Sequence, residues 1–135
     1  YISDKVNNIF RESRLRYFGY CLDKKLKIVN GGKVAYIFVE DKEARQYQIQ
    51  LGENESLVNY PFKIEGVQVS VFFSEEKDKI KISFRSKGEL DVNAFARKYF
   101  EGGGHKNASG GKSYLSIAET EQKFISLVPE LFINN

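Results

Sequence analysis

The densest chemistry in this sequence lies at positions 102 to 111, Gly-Gly-Gly-His-Lys-Asn-Ala-Ser-Gly-Gly. Five of the chain's 11 glycines fall in these ten positions. A glycine run costs backbone entropy, so its presence asks for a geometric reason. Without Cβ atoms, consecutive amides can curl into a nest of N–H donors that grips an anion, and a ligand can approach the backbone closely. His105, Lys106 and Ser109 add an imidazole, an ammonium and a hydroxyl, each able to donate to a phosphate oxygen. Gly102, Gly103, Gly104, His105, Lys106 and Ser109 are therefore candidate phosphate-binding residues. The bland alternative is a flexible surface loop following a helix end.

Arg85 is a second candidate. It closes a polar-faced strand, where a guanidinium can clamp a phosphate in bidentate fashion; a solvated surface charge is the plain alternative. Gly111-Lys112-Ser113 resembles the end of a P-loop, but that pattern needs a glycine five residues before the Gly-Lys step. Lys106 stands there, which excludes a nucleotide triphosphatase of that kind.

These residues need a scaffold. Ser3-Asp4 and the spacing of Val6, Ile9 and Phe10 predict a first helix. Ser13 is the expected cap of a second, with Leu15, Phe18 and Leu22 on one side and Cys21 as a small core residue without chemistry. Leu26–Val29 and Val34–Val39, around Asn30-Gly31-Gly32, predict a hairpin, the alternative being that Gly31 follows a helix end. The second strand is apolar throughout, as in a central strand buried on both faces. Short helices are expected near 42–47 and 55–58, with Pro61 returning the chain to extended structure.

Val67 to Phe73 and Ile80 to Phe84 alternate with period two, an antiparallel pair joined by a polar turn at 74–79. Asp91 is a helix cap, followed by Val92, Phe95, Ala96 and Tyr99 at helical spacing. A capping box at Ser116 and Glu119 opens the last helix, which Pro129 kinks or ends. The expected fold is a single α/β (α+β) domain, a mixed β-sheet with an antiparallel hairpin, flanked by helices.

Composition narrows the function classes. The chain has 135 residues, 41% hydrophobic and 29% charged, which suits one ordinary globular domain. No apolar run approaches the ~20 residues of a membrane helix. One cysteine excludes an internal disulfide framework and fits a reducing cytoplasm. One histidine beside it cannot complete a four-ligand zinc site. With Tyr1 first and no methionine, either something was removed from the chain or it is part of a longer protein. The net charge of +3 is uneven: the 28 residues from Arg85 to Lys112 hold six cations and three acids, and the remainder is balanced. The positive balance thus surrounds the glycine segment.

Ser83-Phe-Arg-Ser-Lys-Gly88, Asp91-Val-Asn-Ala-Phe-Ala-Arg97 and Gly102-Gly-Gly-His-Lys-Asn-Ala-Ser-Gly110 together resemble the DHH-associated C-terminal domain of DHH-family phosphoesterases. Ser13-Arg-Leu-Arg16, Leu57-Val-Asn59 and Ile64-Glu-Gly-Val67 are similar to its nano-RNase/pAp-phosphatase branch, also called exopolyphosphatase-related. The resemblance implies that residues 1–135 are the substrate-binding half of an enzyme. That enzyme would hydrolyse short oligoribonucleotides, and 3′-phosphoadenosine 5′-phosphate with them. It implies that Arg85, Ser86, the glycine segment and His105 hold the substrate phosphate. Two divalent metals, manganese usually, belong to a preceding DHH domain whose Asp-His-His triplet is absent here. This chain alone is then expected to hold no metal and no catalytic residue. Its expected partners are short single-stranded RNA or nucleotides and that DHH domain. Related domains imply two other functions, an RNA-binding module as in alanyl-tRNA synthetases and a linear or cyclic dinucleotide phosphodiesterase.

Overall fold

A computed structural model describes residues 11–50 and 52–133, so the helix expected over the first ten residues lies outside it. The all-apolar segment Val34–Val39 forms strand β2, buried at every position. It pairs antiparallel with β1 (Leu26–Val29) through the expected hairpin, whose turn uses positive φ at Asn30, Gly31 and Gly32. On its other edge β2 pairs parallel with β3 (Val69–Glu75). A parallel pair needs a crossover, here built from α2 (Asp41–Gln46), α3 (Glu53–Leu57) and a 3-10 turn, Tyr60–Lys63. Strand β3 turns back into β4 (Ile80–Ser86), as the alternation predicts. Then β6 (Ala108–Ser113) pairs with β4, and β5 (Gly103–His105) forms the edge. The result is one six-stranded mixed sheet in the order β1-β2-β3-β4-β6-β5, flanked by helices, the expected α/β domain.

Side chains alternate across a strand, so register assigns every residue to a face. One face carries Tyr36, Phe38, Val71, Phe73, Ile82 and Phe84 beneath α4 (Val92–Tyr99) and α5 (Ile117–Leu127). Phe73 stacks on Phe38 with ring centroids 4.8 Å apart and meets Phe124 edge-on at 5.1 Å. The opposite face carries Ile37, Val39 and Phe72, covered by Tyr17, Phe18 and Cys21 from α1 (Glu12–Tyr20) and the turn after it, and by Leu57 of α3. This second apolar cluster ends at β3. Beyond it, β4, β6 and β5 turn Lys81, Ser83, Arg85, Ala108 and Gly110 to the same face.

Local signals hold where one residue decides them. Asp91 accepts the Ala94 amide at 3.0 Å, and Ser116 and Glu119 form their reciprocal box. Pro129 ends the α-helix, and the chain continues as a 3-10 turn over Val128–Phe132. Three expectations are corrected. Ser13 is not a cap: Arg11 takes that position without a side-chain cap, and its guanidinium donates to Ser13 Oγ at 3.0 Å. Leu15 is 60% exposed, because the buried side of α1 is built from Tyr17 and Phe18. Pro61 does not start extended structure; its fixed φ suits the first turn of the 3-10 helix. Cys21 is fully buried as expected, and burial pushes its thiol up to about 12.

Two carboxylates brace the periphery. Burial opposes the charge of Glu43, but the Tyr20 hydroxyl, the Glu40 amide at 2.7 Å and Lys25 Nζ at 3.0 Å outweigh it. Burial likewise opposes Glu121, which Lys27 at 2.7 Å and the Tyr36 hydroxyl at 2.6 Å stabilise. Both sit below the usual carboxylate range. A lowered folded pKa adds stability above the unfolded value of about 4.3, and that stability is lost as pH falls through the folded value. Urea midpoints should therefore be flat from about pH 5 upward and drop below about pH 4. The double variant Glu43→Gln, Glu121→Gln should lose much of that acid dependence; an unchanged slope would place it elsewhere.

Candidate phosphate-binding groove

Strand β4 sends Ile82 and Phe84 into the core and Lys81, Ser83 and Arg85 outward. Across the ladder Ser83 opposes Gly110 and Arg85 opposes Ala108. Strand β5 adds Gly103 beside Gly110 and His105 beside Ala108. One row thus runs Arg85–Ala108–His105, its ends about 10 Å apart at two strand spacings. His105 and Lys112 stand at the two ends of this face, and between them β5 and β6 offer only glycine and alanine, so the surface dips into a groove of about 270 Å³, whose lining includes Ser83, Arg85, Gly103, Gly104 and Gly110.

The glycine segment is neither a loop nor an amide nest. It is an antiparallel hairpin at the sheet edge. Two of the amides a nest would need are already committed: Gly104 N–H donates to Asn93 Oδ1 at 2.8 Å, and Gly102 N–H donates to the Ala96 carbonyl at 3.1 Å. The glycines have two distinct reasons. At Gly102 a Cβ would lie 1.9 Å from the Gly110 carbonyl oxygen, so the hairpin itself requires glycine there. At Gly110 a Cβ would meet nothing nearer than the Ile82 carbonyl oxygen at 3.6 Å. Its missing side chain serves the open groove floor.

Arg85 is half-buried and fixed. Its Nη1 donates to the Phe84 carbonyl at 2.9 Å and its Nη2 to Glu55 Oε2 at 2.7 Å. Lys81 Nζ lies 3.8 Å from the other Glu55 oxygen. An arginine held by its own backbone beside a lysine and a glycine floor can orient an anion without reordering a long side chain.

The other predicted residues are placed differently. Ser109 lines the groove, but its buried hydroxyl donates to the Val92 carbonyl at 3.1 Å on the core side. Ser86 also faces the core and donates to the Leu90 carbonyl at 2.7 Å. Lys106, at the hairpin tip, pairs with Glu89 at 2.7 Å. His105 is exposed, in the row described above. Sequence reasoning missed Lys81, Ser83 and Glu55. The first two share the alternation that singled out Arg85, so parity alone could have found them. Glu55 has no such signal; the crossover brings it from 30 residues away. Asn107 was also missed: its amide donates to Ser86 Oγ at 2.9 Å and the Gly88 carbonyl at 3.1 Å, tying the hairpin turn to the segment before α4.

Among the described residues no group of three or more His, Cys, Asp and Glu side chains could hold a metal ion. The two metals implied by the resemblance find no ligand set in this part of the chain. No helix among these residues is long and apolar enough to cross a membrane.

Known proteins resemble this chain over most of its length. The model of the DHHA1 domain family matches residues 31–134. The bifunctional oligoribonuclease and PAP phosphatase NrnA of Bacillus subtilis is 40% identical over 80 residues, covering 59% of this chain and 25% of that protein. The probable bifunctional oligoribonuclease and PAP phosphatase NrnA of Streptococcus mutans is 34% identical over 105 residues, 77% of this chain and 33% of that protein. The crystal structure of an exopolyphosphatase-related protein from Bacteroides fragilis aligns with a TM-score of 0.82 at 38% identity, covering 94% of this chain and 38% of that one. The chain thus spans a quarter to a third of the length of the curated relatives it matches.

Proposed function

This chain belongs to the DHHA1 domain family, and from that premise we propose that it is the substrate-binding part of a metal-dependent phosphoesterase. The parent protein would hydrolyse short oligoribonucleotides and 3′-phosphoadenosine 5′-phosphate, the activities named for its NrnA relatives. The observation that carries the reading is the uncovered half of one sheet face, where Arg85 lies over a floor of glycine. Arg85 and Lys81 hold a substrate phosphate, and Ser83 donates its hydroxyl. Gly110 lets the sugar-phosphate backbone lie against the sheet, beside the backbone of Gly103 and Gly104. His105, exposed at the far end of its row beyond the groove lining, would meet a substrate that extends past the glycine floor. Gly102, Ser86, Lys106 and Ser109 shape the hairpin rather than touch the ligand.

In this reading the chain contributes position and electrostatics. A DHH domain outside it carries the two divalent metals, manganese in the expected case, and the water to be activated. The chain alone should therefore bind a short RNA such as a dinucleotide weakly and hydrolyse none of it with manganese present. Metal-dependent turnover by this chain alone, measured by release of mononucleotide, would contradict the proposal.

A further inference from the structure

Three charged side chains line the groove, Arg85, Lys81 and Glu55. Glu55 stands between the two cations, 2.7 Å from Arg85 Nη2 and 3.8 Å from Lys81 Nζ. Its side chain is 44% exposed on the five-residue helix α3 and belongs to neither apolar cluster. The fold does not call for an acid there, yet an acid beside an anion-binding arginine weakens it. To swing away Arg85 would have to give up its Nη1 bond to the Phe84 carbonyl. A phosphate that reaches Arg85 must share or displace the edge that Glu55 occupies, and its oxygens then lie within a few ångströms of that carboxylate.

We infer that Glu55 sets the charge selectivity of this groove, lowering its preference for phosphomonoesters with two negative charges over phosphodiesters with one. The inference rests on the phosphate-binding reading above. Coulomb repulsion is proportional to the ligand's charge, so Glu55 opposes a dianion twice as strongly as a monoanion at the same place. Lys112, opposite Lys81 across the ladder, adds attraction at the rim, as Lys81 and Arg85 do inside. Glu55 offsets the advantage that these cations would otherwise give to the more highly charged ligand. An internal phosphodiester of a short chain is thereby less readily outcompeted by mononucleotide, the product that carries the extra charge.

The test compares adenosine 5′-monophosphate with its phosphate methyl ester, which share a nucleoside and differ by one charge at about pH 8, where the second phosphate ionisation (pKa ≈ 6) is complete. Dissociation constants come from NMR titration of this chain, its Glu55→Gln, Glu55→Asp and Arg85→Ala variants, with thermal unfolding as a check. Unmodified, the chain should prefer the monophosphate over the ester less strongly than Glu55→Gln does. If Glu55→Gln tightens the ester about threefold, proportionality makes the gain for the monophosphate about ninefold, so their ratio moves about threefold toward the dianion. Glu55→Asp keeps the charge and should keep the ratio. An unchanged ratio in Glu55→Gln, with both ligands lost in Arg85→Ala, overturns the role of Glu55 and leaves the groove standing. Undiminished binding in Arg85→Ala overturns the phosphate-binding reading and this inference with it.

Discussion

Arg85→Ala should weaken binding of a short RNA to this chain about thirtyfold, the equivalent of about 2 kcal/mol for a charge-assisted hydrogen bond. Its effect on folding should be small. The side chain contributes no apolar packing to either core cluster, and its partner Glu55 is itself partly exposed, an arrangement that stabilises by under about 1 kcal/mol. Binding lost with stability kept is the signature of a ligand contact. Arg85→Lys should recover only part of the loss, since an ammonium on a flexible stem keeps the charge without the planar fork. Calorimetric titration together with a thermal scan of each variant reads both quantities. Equal affinity in Arg85→Ala would remove the residue on which the groove depends.

Two glycines eight residues apart should respond to alanine in opposite ways. Gly102→Ala drives a methyl to within 1.9 Å of the Gly110 carbonyl oxygen, against backbone that cannot yield without opening the hairpin. The expected cost is about 3 kcal/mol, seen as a Tm lower by about 10 °C. Gly110→Ala meets no such obstacle, and its φ is not in the left-handed region. A glycine replaced at an ordinary φ loses unfolded-state entropy, so stability should hold or rise by up to about 1 kcal/mol. The new methyl stands on the groove floor, however, and RNA affinity should fall about tenfold, the equivalent of about 1.4 kcal/mol of lost contact. Gly110→Ala with full affinity would show that the floor is not where the ligand lies. Gly102→Ala with unchanged Tm would show that the edge strand packs otherwise than described.

Much of the scaffold is legible because single local features determine it. Val34–Val39 can only be satisfied in a sheet covered on both faces, and the alternation of β3 and β4 assigns their faces directly. Asp91 and Ser116 cap the helices they precede. The glycine segment is illegible for a physical reason: strand periodicity is carried by side chains, and glycine has none. Once residues 108–113 are recognised as a strand, parity turns Ser109 toward the core with Phe84, its neighbour across the ladder, and its hydroxyl is no longer open to a ligand. The concentration of positive charge near the glycines is real in sequence but divided in space. Arg97 and Lys98 lie on α4, with the Arg97 guanidinium against Gly103 at the sheet edge, and Lys106 answers Glu89. Within the groove Arg85 and Lys81 remain, and Glu55, distant in sequence, tempers both.

Backbone amide shift mapping of this chain during titration with a diribonucleotide tests the central claim most directly. The largest shifts should fall on Ser83 to Arg85, Gly103 to His105 and Ala108 to Gly110, and should vanish in Arg85→Ala. Shifts gathered instead around Lys33, Lys87 and Phe132, with the groove silent, would contradict it.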